Sequence, residues 1–303
     1  MSDIPLGNNG ARFDYQSLNL ETDKLYIAHM GADQMIVYDT LNHKVIETVP
    51  DVPNVHGILA VPGTGRIYAT ATGINSVVAI DENDLHRIAA YPTGKYPDGL
   101  AYDPVNQKLF ISDEHGGSVT VINIQTDERE ATIPLGGEVG NTQYDPETHH
   151  IFAAEQTHNQ LVEIDPKLNT IINKVDLSGC EAPHGVNIPA AFRIAFIACE
   201  NNAKLVTLDL NTMQTLSIDE VGGSPDVLAF DEGLSQLYVA SESGTLAIFK
   251  EDITNPHVGF RKVAQTYVAP GAHTIAVNQK THQVYFPLES KSGHPVLRIY
   301  EPE

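Results

Sequence analysis

The sequence predicts an all-β protein, a seven-bladed β-propeller with four antiparallel strands in each blade. Three observations lead to this fold class. A unit with three runs of alternating apolar residues recurs seven times, a fourth apolar run lies between successive copies, and helical periodicity is nearly absent. Short strands separated by turn residues at regular intervals are typical of propeller blades.

The clearest copy of the unit covers residues 97–124, which read PDGLAYDPVNQKLFISDEHGGSVTVINI. Asp-Pro, Asn-Gln and Gly-Gly separate its three alternating runs, as turn residues separate strands. Candidate fourth strands between the copies include KVIETVP, HRIAAYP and REATIPL. The copies begin near residues 13, 55, 97, 139, 183, 225 and 272, about 42 residues apart in most steps, so we expect one domain over 1–303.

The closure of the ring is predicted at the N-terminus. The seventh copy ends at Glu303 without a fourth strand, whereas the sequence IPLG at residues 4–7 matches the fourth-strand sequence IPLG at residues 133–136. A propeller that does not close exposes unpaired strand edges. We therefore expect residues 3–7 to complete the last blade.

The repeat resembles the YVTN-type propeller family, and more narrowly the YncE-like bacterial propellers. The resemblance rests on segments such as LYIAHMGADQMIVYD and LYVASESGTLAIF and covers the whole chain. It implies the propeller fold and, because many YncE-like proteins are exported, a periplasmic or extracellular location. The absence of Trp argues against WD40 blades and against tryptophan-docked quinoprotein dehydrogenases.

One position of the repeat predicts a binding site. The first position of the inner strand lies at the mouth of the central channel, and across the seven copies it holds Asp14, His56, Asp98, Gly140, His184, Asp226 and His273. The histidines are spread as evenly as seven blades allow, so their imidazoles are expected to converge. His56, His184 and His273 are therefore the predicted ligands of a single Zn, Cu, Fe or Ni ion, with a coordination position left for water or substrate.

The aspartates at the same position allow two interpretations. Asp14, Asp98 and Asp226 are candidate binding residues that ligate the metal, accept imidazole N–H groups or act as bases. The alternative is structural, because a polar residue at the start of an inner strand often bonds the backbone of the neighbouring blade.

A second layer of candidates follows the second strand of each blade, on the same face. It reads Met30, Thr72, Glu114, Gln156, Glu200, Glu242 and Glu289. Glu114, Glu200 and Glu242 are the candidate catalytic bases; the alternative is that they are solvated loop ends. No GxSxG motif, phosphate-binding glycine loop or HExxH motif is present, so a serine hydrolase or a zincin is not expected.

Charge and cysteine content restrict the partners and the compartment. The formal charge of −21 disfavours binding to nucleic acid and to anionic membranes. No segment is apolar enough to insert in a bilayer. We expect a monomer whose partner is a small polar ligand or a protein, bound on the top face. The N-terminal residues contain no signal-peptide pattern. We expect an exported protein whose signal peptide is absent from this chain, with a cytoplasmic protein as the alternative. Cys180 and Cys199, in one blade, are a candidate disulfide that would favour export.

Two functions are compatible with these features. The first is a metal-dependent hydrolase or lyase that acts on a small polar substrate at the channel mouth. The second is a non-enzymatic binding or scaffold propeller that recognises a protein or small ligand on its top face. Stoichiometric metal that disappears when His56, His184 or His273 is replaced would discriminate between them.

Overall fold

Twenty-eight strands form seven separate four-stranded sheets in the computed structural model, which describes residues 1–7, 12–252 and 259–301. All paired strands are antiparallel, and each sheet is one blade. The fold class predicted from the repeat, a seven-bladed propeller with four strands per blade, is confirmed. Among the described residues, no helix is long and apolar enough to cross a bilayer.

The first four blades each contain four consecutive strands, ordered from the channel outwards. Blade 1 contains β2 (Gln16–Asn19), β3 (Lys24–His29), β4 (Gln34–Asp39) and β5 (Lys44–Val49). Blade 2 contains β6 (Val55–Val61), β7 (Arg66–Ala71), β8 (Ser76–Asp81) and β9 (Arg87–Pro92). Blade 3 contains β10 (Pro97–Asp103), β11 (Lys108–Asp113), β12 (Ser118–Asn123) and β13 (Glu128–Pro134). Blade 4 contains β14 (Val139–Tyr144), β15 (Ile151–Glu155), β16 (Gln160–Asp165) and β17 (Thr170–Asp176).

The last three blades follow the same order except at the closure. Blade 5 contains β18 (Pro183–Asn187), β19 (Ile194–Cys199), β20 (Lys204–Asp209) and β21 (Gln214–Glu220). Blade 6 contains β22 (Pro225–Asp231), β23 (Gln236–Ser241), β24 (Thr245–Glu251) and β25 (Phe260–Tyr267). Blade 7 contains β26 (Ala276–Val277), β27 (Val284–Lys291), β28 (His294–Tyr300) and, on its outer edge, β1 (Ser2–Pro5). Short 3-10 turns follow the second strands of four blades at Met30–Ala32, Thr72–Ile74, Glu114–Gly116 and Glu200–Asn202.

The ring is closed by main-chain pairing between the two ends of the chain. Strand β1 pairs antiparallel with β28, so that Ile4 lies opposite Leu297. The side chain of Asp3 accepts hydrogen bonds from Arg298 and pairs with Lys291, and Leu6, just beyond the strand, is buried. The outer strand of the last blade therefore comes from the beginning of the chain, as the IPLG match indicates.

The core repeats with the blades. The first strand of each blade contacts the first strands of both neighbours, and the circle closes between β26 and β2. Every second strand also buries one aromatic ring at an equivalent position, namely Tyr26, Tyr68, Phe110, Phe152, Phe196, Tyr238 and Tyr285. These rings fill the spaces between adjacent sheets, and burying such a side chain is a large stabilising contribution. The fold is thereby held rigid around its axis, where the candidate site lies.

Candidate functional site

A repeated backbone irregularity directs the first-position side chains into the channel. In blades 2 to 6 the register between the first and second strands shifts after the first residue, so that two residues of the inner strand oppose one residue of its partner. Such a β-bulge changes the direction in which a side chain points. His56, Asp98, His184 and Asp226 occupy the first bulged position of their blades.

The loop before each inner strand contributes a second repeated feature. In six blades, the residue two positions before the first-position residue has a left-handed backbone, with φ between 48° and 78°. These residues are Arg12, Asn54, Tyr96, Ala182, Ser224 and Gly271. The carbonyl groups of Asn54 and Gly271 lie 2.8 Å from the Nδ1 atoms of His56 and His273, respectively. Because a carbonyl can only accept, Nδ1 carries the proton in both histidines. Their Nε2 atoms are the ones presented to the channel.

These side chains line a narrow cavity of about 150 Å³ at the channel mouth. Its lining residues are Arg12, Asp14, Tyr15, His56, Tyr96, Asp98, Glu114, His184, Glu200, Asp226 and Glu242. His273 lies beside the cavity, with Nδ1 3.6 Å from Glu242 and Nε2 3.9 Å from Asp226. The structure thus brings the two layers of candidates, the first-position residues and the glutamates, onto one face.

The first-position residues of the seven blades form a ring around the channel mouth. Two groups of side chains in this ring are close enough to hold a metal ion. The first half-site consists of Asp14, Asp226 and His273, and the second half-site consists of Asp14, His56 and Asp98. Within each half-site the ligand atoms lie within 4.8 Å of one another. Asp14 belongs to both.

The three histidines expected from the blade spacing to share one metal ion are grouped with aspartates in the structure rather than with one another. Among the described residues, neither half-site contains two of the three histidines, and His184 belongs to neither. The reason is the order around the ring, in which aspartates and histidines alternate except at Gly140. His56 and His273 therefore have an aspartate on each side in the ring, whereas His184 has Asp226 on one side and Gly140 on the other.

His184 acts as a cation between two aspartates. Its Nε2 atom lies 3.3 Å from Asp226 and 3.7 Å from Asp98. Its Nδ1 atom lies 2.7 Å from the end of the Gln156 amide group, which must turn its oxygen towards Nδ1–H to accept from the charged ring. Burial opposes a charge on this ring, but Asp226, Asp98 and Glu114 outweigh that effect and raise the pKa of His184 to about 10. His184 is therefore an imidazolium at neutral pH and holds the two carboxylates together.

The carboxylates of the ring have strongly shifted pKa values. Burial, followed by repulsion from Asp98, raises the pKa of Asp14 well above its usual value, and the same two causes raise the pKa of Glu114 to about 7. Burial also raises the pKa of Glu200. At Asp226 burial acts in the same direction, but His184 and His273 outweigh it and lower the pKa. The ring thus retains protons that a bound cation would displace.

His273 carries a buried nitrogen without a partner. Its side chain is 1% exposed, and Nε2 makes no hydrogen bond. The Oδ1 atom of Asp226 likewise accepts no aligned hydrogen bond, although it lies 3.3 Å from the Nε2 atom of His184 and forms an ion pair with it. Leaving such a group unsatisfied costs about 1–3 kcal/mol. The first half-site therefore has an unused donor atom that fits a metal ion.

Three lining residues were not identified from the sequence. Arg12 donates from Nη2 to Glu242 over 2.8 Å, and the hydroxyl of Tyr96 lies 3.1 Å from Nε2 of His56. The hydroxyl of Tyr15 lies 3.4 Å from Asp98. The repeat could have identified them by their size. They lie two positions before or one position after a ring residue, where other blades carry small residues such as Gly57 and Ala182.

A wider cleft adjoins the narrow cavity. It has a volume of about 700 Å³, and its lining residues are Glu114, Glu138, Gln156, Thr157, Asn159, Glu181, Ala182, Glu200 and Asn201. Glu114 and Glu200 line both spaces. The cleft lies over blades 3 to 5, where Gly140 adds no side chain to the ring. An apolar cavity of about 340 Å³ between blades 6 and 7 contains none of the ring residues.

A disulfide lies beside this cleft. Cys180 and Cys199 are bonded to each other, which joins the loop before β18 to the end of β19. The bridge restrains the segment that leads to His184 and the turn that begins at Glu200. A disulfide of this kind hints at an oxidising compartment.

The fold and the site define a seven-bladed propeller with an aspartate–histidine cluster at the channel mouth. The hydrazine synthase of Kuenenia stuttgartiensis matches 98% of this chain and 97% of its own chain with a TM-score of 0.85 at 12% identity. A streptogramin B lyase matches 99% of this chain and 97% of its own with a TM-score of 0.78 at 14% identity. At such identities the likeness shows the fold alone. No family model and no curated protein matches the sequence.

Proposed function

We propose that this protein is a YncE-like, YVTN-repeat propeller that binds a transition-metal ion at its channel mouth and acts as a hydrolase or lyase on a small polar substrate. The observation that carries the proposal is the unpaired Nε2 atom of His273, buried within reach of Asp14 and Asp226. One imidazole and two carboxylates form a mixed nitrogen and oxygen donor set that suits Zn, Fe, Ni or Mn.

The ion would supply Lewis acidity towards a substrate oxygen. The remaining work falls to side chains of this chain. Glu114 and Glu200 both face the narrow cavity and the cleft, and Glu114, whose pKa is raised to about 7, is the better suited of the two to accept a proton near neutral pH. The amides of Gln156, Asn159 and Asn201 can orient a polar substrate in the cleft.

The charge of the site restricts the substrate. The cleft contains four glutamates, at positions 114, 138, 181 and 200. A substrate that carries an amine or several hydroxyl groups therefore fits better than a polyanion. The second structural neighbour is named a lyase. An elimination reaction is compatible with a metal ion and an adjacent base. Lyase substrates are therefore tested together with lactones.

We infer that the protein is exported to a periplasmic or extracellular location. The support is the disulfide, which persists in oxidising environments and is uncommon in the cytosol.

A second candidate, a non-enzymatic binding propeller, is favoured by the hydrogen bonding of His56. Both of its ring nitrogens have partners, the Asn54 carbonyl and the Tyr96 hydroxyl. In this second candidate the ring is a structural network, and the cleft is a docking surface for a protein or small ligand.

Elemental analysis of tag-free protein, purified without added metal or chelator, tests the proposal. We expect about one transition-metal ion per chain, lost in His273→Gln and kept in His294→Gln, a matched change at an exposed histidine of the same blade. Metal-loaded protein is then screened with lactones and lyase substrates. Protein without metal that also shows no thermal shift with Zn²⁺, Mn²⁺, Ni²⁺ or Fe²⁺ would overturn the metal-dependent proposal and favour the binding propeller.

A further inference from the structure

The two half-sites of the ring are built in the same way. In each, a histidine donates its Nδ1–H group to the carbonyl two residues earlier in the chain, over 2.8 Å. Nε2 of His56 lies 3.9 Å from Asp14, and Nε2 of His273 lies 3.9 Å from Asp226. Asp98 completes the group around His56, and Asp14 completes the group around His273. A backbone carbonyl that fixes the imidazole tautomer is a usual accompaniment of metal-ligating histidines.

The half-sites differ in one respect, the partner of Nε2. In the first half-site Nε2 of His273 has no partner. In the second, Nε2 of His56 lies 3.1 Å from the hydroxyl of Tyr96. Since Nδ1 of His56 already carries a proton for the Asn54 carbonyl, Nε2 of the neutral ring can only accept, and the phenol donates to it. Tyr96 thus occupies the lone pair that would bind a metal ion.

We propose that the ring binds two divalent metal ions in sequence, with Asp14 as the shared ligand and Tyr96 as a displaceable cap on the second half-site. The inference rests on the proposed function, because the first ion is the one proposed there. The first half-site fills without rearrangement. The second fills only when the Tyr96 hydroxyl leaves His56, so its affinity is lower.

The charge of the cavity favours a second cation. Six of its eleven lining residues are acidic, whereas Arg12, His56 and His184 are the basic ones. The first half-site uses two of these six carboxylates, Asp14 and Asp226, so four of them, including Asp98, remain available to a second cation. Sharing of Asp14 brings the two ions close together, as in two-metal sites whose ions lie about 3.5–4 Å apart.

Tyr96 is suited to the role of a movable cap. Its backbone is left-handed, with φ of 61°, and its ring packs at a tilt of 33° against the part-exposed His115, with a centroid distance of 4.3 Å. Because Tyr96 is half-buried and packs against an accessible ring, its phenol can turn away from His56 without opening the core. The neighbouring Pro97 keeps the loop in place while the side chain moves.

Titration of chelator-treated, dialysed protein with MnCl₂ tests the proposal, with heat and the Mn²⁺ electron paramagnetic resonance signal as readouts. We expect two binding steps per chain, and spin coupling between the ions only during the second step. Asp98→Asn, which is nearly isosteric, should abolish the second step and leave the first. Tyr96→Phe should tighten the second step about tenfold and leave the first unchanged. Circular dichroism and thermal melting establish that both variants fold.

The outcomes separate this inference from the proposed function. A single site per chain, lost in His273→Gln and unchanged in Asp98→Asn, overturns the second site and leaves the first. Two sites that respond to neither Asp98→Asn nor Tyr96→Phe also overturn it, because the second ion then lies elsewhere. If no Mn²⁺ or Zn²⁺ binds at all, both proposals are wrong.

Discussion

The Nε2 atom of His184 lies 3.3 Å from the Oδ1 atom of Asp226, and both side chains are mostly buried. The pair links blade 5 to blade 6 across the channel mouth. Asp98 of blade 3 adds a second carboxylate 3.7 Å from the same nitrogen. A single imidazolium therefore connects three blades, and the stability of the metal-free ring depends on its charge.

The charge of His184 predicts a loss of stability at alkaline pH. Its pKa in the folded protein is about 10, above the ordinary histidine value of 6.5, so its contribution is complete below about pH 6.5 and is lost as the pH rises through about 10. We expect the free energy of unfolding of chelator-treated protein to fall by about 2–4 kcal/mol between pH 7 and pH 10. Urea unfolding at several pH values measures this. His184→Gln should show a lower and flatter profile, and parallel profiles for the two proteins would contradict the assignment.

Arg12 is expected to weaken cation binding. Its guanidinium lines the cavity and donates to Glu242 over 2.8 Å. Replacing it in Arg12→Gln removes a positive charge near Asp14 and Asp226, so we expect Mn²⁺ to bind about threefold to tenfold more tightly. Arg66→Gln is the matched control, because Arg66 pairs with Asp127 away from the ring. Calorimetric titration of both variants tests the prediction, and equal affinities would show that Arg12 does not act on the ring.

Close packing of the inner strands predicts a severe effect of one methyl group. A Cβ atom at Gly185 would overlap the carbonyl oxygen of Asp226, a backbone atom that cannot move aside alone. Gly185→Ala should therefore separate blades 5 and 6 and lower the free energy of unfolding by about 2–4 kcal/mol. At Gly223 the nearest atom to an added Cβ is the Cβ of Ser243 at 3.7 Å, an ordinary contact. Gly223→Ala should change stability by less than about 0.5 kcal/mol in the same urea experiment.

The fold and the position of the site could be predicted from the sequence because both follow from the repeat register. Alternating apolar runs define the strands, and equivalent positions such as those of His56 and His273 must lie at equivalent heights around the axis. The grouping of ligands could not be predicted in this way. It depends on distances across the channel, on the alternation of aspartates with histidines and on the missing side chain at Gly140. The roles of Arg12 and Tyr96 depend on side chains that reach in from the preceding loops.

The disulfide is expected to stabilise blade 5. It links residues 19 apart in sequence, and closing a loop of about that size in the unfolded chain is worth about 3 kcal/mol. The double variant Cys180→Ser/Cys199→Ser should lose about 2–4 kcal/mol of unfolding free energy. Comparison of oxidised and reduced wild-type protein separates the effect of the bond from that of the serine hydroxyls. A reductant that leaves the wild-type transition unchanged would contradict the prediction.

Closure of the ring by the N-terminal segment predicts that Leu6 is a stabilising residue although it lies outside the strands. Leu6 is 1% exposed, packs in one cluster with Leu297 and Ile299, and donates its backbone N–H to Pro295 over 3.1 Å. Leu6→Ala should therefore lower the free energy of unfolding by about 2–4 kcal/mol, through lost burial and the cavity that remains. Leu41→Ala provides the matched control, since Leu41 is 68% exposed in a turn and should change stability by less than about 0.5 kcal/mol. Deletion of residues 1–7 removes β1 as well and should destabilise the protein more than Leu6→Ala does. Equal urea midpoints for the truncated and full-length chains would mean that the main-chain pairing of β1 with β28 does not hold the ring closed.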